Sequence, residues 1–373
     1  MVERKLSGDS EAEHYRKVGA VAQITGNSEV PTPAEVLLQE GFSELVNLYI
    51  ATTRGPCGGV NDSLEMLDRT IELTRKLFPE VKVFCLHQII HNAPVLKHYE
   101  DSGVIFTNNL REVEPGSVCL INAHGQKRLA FRYLKLKGCF TVDATCPFVR
   151  AVQNKAALDV RDGYHILLLG EPTHAEALGI SSYARGKITI ISSPDEAREV
   201  RLPCEKLSLH TQTTTAGFEA EEAEAILLER YPQTKVTPKG DRCTAVKLRQ
   251  QGVANFKGLA DIAIVVGSPT SKNTKNMAKV GEHHGIPTIR VDYPEEIEPS
   301  FLATHKPRGI AISSGASALD NQFKQVLGWL EHTALLYGRE PNLIHLPTTG
   351  FEHKNLQNSD KLFNQLEIWL KSR

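Results

Sequence analysis

Between residue 46 and about residue 330 the chain alternates short apolar runs with longer amphipathic ones. The apolar runs are LVNLYIA, VKVFCL, SVCLINA, CFTVDA, HILLLG, KITIIS, KLSLHT, TKVTP, DIAIVVG, PTIRVD and GIAISS. Most are rich in Val and Ile and end in polar residues or glycine, as parallel strands covered on both faces do. The amphipathic stretches, such as DSLEMLDRTIELTRKLF, EAEEAEAILLERY and DNQFKQVLGWLEHTALL, have the period of crossover helices. The alternation predicts an α/β fold with mainly parallel sheets. Residues 1–45 stand apart as an N-terminal extension, in which the loop-like ITGNSEVPTP precedes one short helix over AEVLLQEGF. Residues 331–373 form a C-terminal tail ending in the amphipathic SDKLFNQLEIWLKSR, a stretch suited to packing on the body or to self-association.

A repeat runs through the pattern. A strand, a short polar loop, a cysteine and a helix recur as LYIATTRGPCGGVNDSLEML, FTVDATCPFVRAVQNKAAL and TKVTPKGDRCTAVKLRQQGV. The cysteines are Cys57, Cys146 and Cys243, 89 and 97 residues apart. Near-equal spacing predicts three similar α/β units, each presenting one cysteine at a strand-to-helix turn. Such turns are where α/β folds hold ligands, and a helix N-terminus favours the thiolate. The remaining cysteines lack this setting. Cys85, Cys119 and Cys139 belong to strand-like runs, and Cys204 to the loop RLPCEK. They are expected to be structural.

Composition narrows the options. The 373 residues are 41% hydrophobic and 23% charged, with a formal net charge of -1. That is ordinary for a globular protein and gives no global attraction to nucleic acid or an anionic membrane. No run reaches the ~18 apolar residues of a membrane span. The N-terminal residues, with Glu3, Asp9, Glu11 and Glu13, do not resemble a secretory or transit segment, so a cytoplasmic location is expected. Seven cysteines in such a chain are not a disulfide framework.

Three widely separated cysteines without a CxxC pair suit an inter-unit centre better than a zinc finger. A [4Fe–4S] cluster normally takes four thiolates. With only three, one iron keeps an open position that can polarise a substrate oxygen. Further strand-end loops carry polar groups: His91 in LHQIIHN, His124 in INAHG, His174 and Glu176 in GEPTHAE, Thr213 in LHTQTTT, Ser271, Lys272 and Asn273 in VGSPTSKNTKN, and Ser317 in ISSGAS. Hydroxyls, amides, imidazoles and backbone N–H groups at such places suit phosphate oxygens. His87, His98, His165, His210, His283 and His284 are read as ordinary turn or capping residues.

In combination, RGPCGGV, IIHN, AHG, VDATCP, THAE, TQTT, GSPTSKN and SGAS resemble the 4-hydroxy-3-methylbut-2-enyl diphosphate reductase (LytB) family over roughly residues 46–330. The resemblance implies three α/β units arranged in pseudo-threefold fashion around a central iron–sulfur cluster. The units would comprise residues 58–146, residues 147–242, and residues 46–57 with 243–330. It implies that Cys57, Cys146 and Cys243 hold the cluster. His91, His124, His174, Ser271, Asn273 and Ser317 would bind the diphosphate, Glu176 would supply protons, and Thr213 would lie near the substrate alcohol. The implied reaction removes that hydroxyl as water with two electrons, giving isopentenyl and dimethylallyl diphosphates. The implied electron donor is a ferredoxin or flavodoxin.

The chain departs from the family's usual motifs at Pro56, Gly59, Ala175, Lys272 and Leu319. Lys272 stands where a second serine is typical and would act on phosphate as a point charge. Rival readings are a related enzyme for another small phosphorylated or hydroxylated substrate, a non-redox lyase or hydratase, and a non-catalytic cluster or zinc protein.

Overall fold

The computed structural model describes residues 32–202, 206–236, 241–350, 352 and 359–372. Cys204 and most of the loop preceding the first helix lie outside these residues.

Among the described residues the strands are β1 (Asn47–Ala51), β2 (Val83–Leu86), β3 (Val104–Thr107), β4 (Val118–Ile121), β5 (Phe140–Asp143), β6 (His165–Leu169), β7 (Ile188–Ile191), β8 (Leu207–Thr211), β9 (Lys235–Val236), β10 (Ile262–Val266), β11 (Thr288–Val291), β12 (Gly309–Ser314) and β13 (Asn342–Leu346). All eleven strand-like runs contain a strand. The apolar periodicity missed β3 and β13. β3 has only four residues and one covered edge, and β13 is an edge strand whose residues are all at least partly exposed.

Three parallel sheets result, ordered β3-β2-β4-β5, β7-β6-β8-β9 and β11-β10-β12-β1-β13. The first four strands of each follow one plan. Chain order reverses between the second and third places, which opens a crevice at the carboxyl ends of those strands. In the last sheet β1 takes the fourth place, paired to β12 with Leu48 opposite Ile310. It comes from the opposite end of the chain yet does the topological work of β5 and β9.

The central strands β2, β4, β8, β10 and β12 are buried at every position. Helices cover both faces of the sheets, and the larger side chains form one core per layer. The helix Pro33–Phe42 forms where the sequence predicts it. Thr32 and Glu35 cap it reciprocally, proline occupies its first position, and Phe42 is fully buried beside Leu48 and Ile310.

The tail packs on the body. β13 adds a fifth strand beside β1, with Tyr49 opposite Ile344. The helix Asp360–Lys371 buries Phe363, Leu366 and Leu370 against Met66 and Leu67. Each of those three side chains contributes about 1.5–3 kcal/mol. Arg69 completes the dock by donating to Ser359 and Asp360 at 2.9 and 3.2 Å.

Candidate active site

The shared strand plan places the polar loops. The fourth strand of each sheet leads to a cysteine: β5 to Cys146, β9 to Cys243 and β1 to Cys57. The strands in second place, β2, β6 and β10, lead to His91, to His174 and to Ser271. The third strands lead to His124, Thr213 and Ser317. All of these residues, with Glu176, Lys272 and Asn273, line one cavity. Every site residue expected from the sequence is therefore brought to one place.

Helix N-termini surround that cavity. Cys57, Cys146 and Cys243 are the N-cap residues of helices Gly58–Leu77, Pro147–Arg161 and Thr244–Ala254. His174 caps Ala175–Tyr183, its Nδ1 accepting from the Glu176 N–H at 3.2 Å. Ser271 caps Lys272–His283, and Asn92, next to His91, caps Ala93–Asp101. Six helices thus point their partly positive ends inward, an arrangement that attracts anions. Gly125 of the AHG loop has φ +74, and a Cβ there would meet Thr145 Cγ2 and Gln153 Nε2 at 2.9 Å. Only glycine lets His124 enter this way.

The three cysteines also line a small recess with Phe148, Ala245 and Glu352. Burial pushes the Cys146 thiol up to about 12 and that of Cys243 up to about 11, and the neighbouring cysteines add to both shifts. Burial raises Cys57 as well, against the nearby Arg249 charge and the Val60 and Gly59 amides. Thiols this reluctant to ionise alone become ligands when a cation displaces their protons. No fourth cysteine or histidine lines the recess among the described residues. The three sulfurs are not all within 4.8 Å of one another, a limit that the group His91, His124 and His174 meets among the described residues. Thiolates sharing one zinc ion stand about 3.8 Å apart. The donor set therefore fits a polynuclear group held by three thiolates, the Glu352 carboxylate at the recess being engaged by Arg249.

The histidines form a second cluster, with ring centroids 5.7 Å apart for His91–His124 and 5.1 Å for His124–His174. Burial lowers all three pKa values, that of His174 to about 4 and that of His124 well below its ordinary value. Neighbouring imidazoles depress His124 and His174 further. Near neutral pH these lowered pKa values favour the neutral form of the three imidazoles. Thr270 adds to it through Oγ1, 3.1 Å from His91 Nδ1. Lys272 stands half-buried at the rim, its Nζ 3.6 Å from Glu171 Oε2.

Glu176 is 1% exposed. Its Oε1 accepts from the Thr213 N–H at 2.7 Å and its Oε2 from Thr213 Oγ1 at 3.0 Å. Burial outweighs these bonds and raises the carboxyl pKa to about 7. A carboxyl balanced there donates and accepts a proton with equal ease at neutral pH. Gln212 orders the same loop, its Oε1 accepting from the Glu171 N–H at 3.1 Å.

A family model described as "LytB protein" matches residues 48–331. The chain belongs to the LytB family. Among LytB relatives, the 4-hydroxy-3-methylbut-2-enyl diphosphate reductase of Tropheryma whipplei is 33% identical over 272 residues, covering 72% of this chain and 85% of that protein. Reductase 2 of Burkholderia mallei is 31% identical, covering 73% and 81%. The reductase of Rhodopirellula baltica is 32% identical, covering 77% and 88%. A solved LytB-type structure, the E-1-hydroxy-2-methyl-but-2-enyl-4-diphosphate reductase of Plasmodium falciparum, superposes with a TM-score of 0.77 at 25% identity, covering 88% of this chain and all of that one. The α/β architecture with three parallel-sheet units is thus that of the family.

Two residues escaped sequence reasoning. His210 neither turns nor caps: it is fully buried within β8, its Nε2 2.9 Å from Asp159 and its Nδ1 3.1 Å from Asp241. The apolar run around it hid the paired charges, which come from elsewhere in the chain. Arg249 is 1% exposed although its helix sequence, TAVKLRQQGVA, gives it the look of a surface residue. No helix of the described residues is long and apolar enough to cross a membrane.

Proposed function

We propose that this protein is a 4-hydroxy-3-methylbut-2-enyl diphosphate reductase, forming isopentenyl and dimethylallyl diphosphates in non-mevalonate isoprenoid synthesis. The observation that carries the reading is the single cavity that joins three cysteines, a histidine and hydroxyl cage, and a buried carboxyl of raised pKa. Cys57, Cys146 and Cys243 would hold a [4Fe–4S] cluster. When bound, such a group supplies electrons one at a time and an open Lewis-acidic iron.

The protein's own residues do the rest. Helix N-termini at Ser271 and His174, with His91, His124, Asn273, Ser317 and Lys272, hold the diphosphate and fix the far end of the molecule. Anchoring there directs the alcohol toward the cysteine recess. Glu176 delivers a proton to the departing hydroxyl, which leaves as water, and Thr213 orients that transfer through its two bonds to the carboxyl. A second proton goes to the allylic carbon skeleton, so two electrons and two protons balance the loss of one water. The electrons come from a one-electron carrier such as a ferredoxin or flavodoxin.

The test is an anaerobic assay of the iron- and sulfide-reconstituted protein with the allylic diphosphate and a one-electron reductant, alongside metal analysis. Formation of both five-carbon diphosphates is expected, with about four irons per chain, as [4Fe–4S] requires. Turnover without reductant would favour a lyase, and failure of this diphosphate alone would favour a different substrate for the Lys272 site. Zinc without sulfide would place the metal on the three imidazoles instead.

The cage also predicts a pH effect. A bound anion raises the depressed imidazole pKa values, so binding near neutral pH takes up protons. Affinity then falls as pH rises through the bound-state pKa, by up to about tenfold per pH unit for each proton taken up. Calorimetric titration with inorganic diphosphate in buffers of different ionisation enthalpy measures that uptake. His174→Gln should reduce it, and this comparison cancels the titration of the ligand itself.

A further inference from the structure

The chain after β13 crosses the loop that carries the first cysteine. The hydroxyls of Thr53 and Thr348 bond to each other, and Gln251 donates to Thr349 Oγ1 at 2.8 Å. At Glu352 the tail reaches the cysteine recess itself, which it lines with Cys57, Cys146 and Cys243. Its carboxylate accepts from Arg249 Nη1 at 2.9 Å.

Arg249 is almost fully buried, and each of its three guanidinium nitrogens donates to a neighbour. Nε and Nη2 donate to the Gly55 carbonyl at 3.1 and 2.6 Å. Nη1 also donates to the Ala245 carbonyl at 2.9 Å. Gly55 lies two residues before Cys57, and Ala245 two residues after Cys243. One guanidinium therefore ties the loop of the first cysteine to the helix of the third. The other side of Gly55 is held too, its N–H donating to Ser314 Oγ at 3.0 Å. Its φ of +70 is a conformation glycine adopts readily, and glycine brings no side chain to restrain the loop by packing. Glu352 is the carboxylate paired with Arg249 among the described residues, and a buried guanidinium that lost it would be strongly disfavoured, so the bond to the tail bears on the whole arrangement.

We propose that Glu352 and Arg249 are a positioning pair through which the docked C-terminal tail clamps the Cys57 loop at the cysteine recess. Neither residue touches the substrate in the proposed reaction. The clamp rests on the reductase reading only where the cluster is used as a probe, and thiol accessibility tests it without a cluster or substrate.

The experiment takes the reduced, metal-free full-length protein and follows alkylation of each cysteine by iodoacetamide with mass spectrometry. Glu352→Ala should raise the Cys57 rate about tenfold or more and change Cys146 and Cys119 by less than about twofold, as expected for local opening of one loop. An unchanged Cys57 rate overturns the clamp. So does a rise at all cysteines together, which reports general unfolding.

Glu352→Gln, which keeps the side-chain volume, provides the second readout. In reconstituted protein its cluster potential, followed by electron paramagnetic resonance, should become more positive, because a negative charge beside the recess has been removed. Arg249→Gln should move it the other way. Shifts of the same sign in both variants would overturn the electrostatic part of the pairing, since loosened structure alone has no reason to follow charge.

Discussion

Replacing Glu176 by glutamine lowers turnover of the allylic diphosphate by between about a hundredfold and ten-thousandfold, the usual contribution of a positioned general acid. The same change makes the protein more stable above neutral pH. Glutamine preserves the shape and keeps an acceptor for the Thr213 N–H, which binds the carboxyl at 2.7 Å. What it removes is the proton. The stability effect follows from the raised pKa. From about pH 4.5 to about 7 the unfolded chain has released the Glu176 proton while the folded protein still holds it. The unfolded state is therefore favoured progressively across that window, and the wild-type penalty reaches about 3 kcal/mol above it. The glutamine variant cannot ionise and is spared that loss. Denaturant unfolding at pH 5 and pH 8 measures it: the variant's advantage should be larger at pH 8. Parallel pH dependence in the two proteins would mean that the carboxyl is not held neutral by burial.

If the three cysteines hold the cluster as proposed, Cys146→Ala abolishes its assembly. Removing one of only three thiolates leaves two irons of the cube without a protein ligand, and iron and sulfide content should fall by about tenfold or more, with loss of the brown colour. Cys119→Ala is the matched control. Cys119 is fully buried in β4, packed with Phe84 and Leu134, and its thiol is raised to about 12 by burial. Shortening it costs packing but leaves the recess intact, so iron content should stay at the wild-type level. Equal loss in both variants would break the separation between the turn cysteines and the strand cysteines. Unaltered iron in Cys146→Ala would remove the centre from this recess.

That separation was visible in the sequence because it is local. A cysteine between a strand and a helix reads differently from one inside a strand, and the fold made all three turn cysteines N-cap residues. The polar cage was legible for the same reason: His91, His174 and Ser271 follow β2, β6 and β10, and His124, Thr213 and Ser317 follow β4, β8 and β12. What stayed hidden depends on partners far apart in the chain. His210 looks like one more strand residue until Asp159 and Asp241 are found on either side of it. Arg249 resembles an exposed helix residue until the Gly55 carbonyl and Glu352 are set around its guanidinium. β13 is a short, partly exposed strand whose place is fixed by the open edge of β1.

The fourth place of the last sheet has a further consequence, for the order in which the protein is made. β1 leaves the ribosome first but finds its partners only in β12 and β13, the second of which ends some 290 residues after Cys57. At the usual pace of synthesis that is a delay of roughly 15–60 s. The sheets ending in β5 and β9 have all their strands well before then. Until β12 is made, the first cysteine has no sheet to hold it. The proposed centre, which draws on all three thiolates, would therefore be delivered only after β12 has been made.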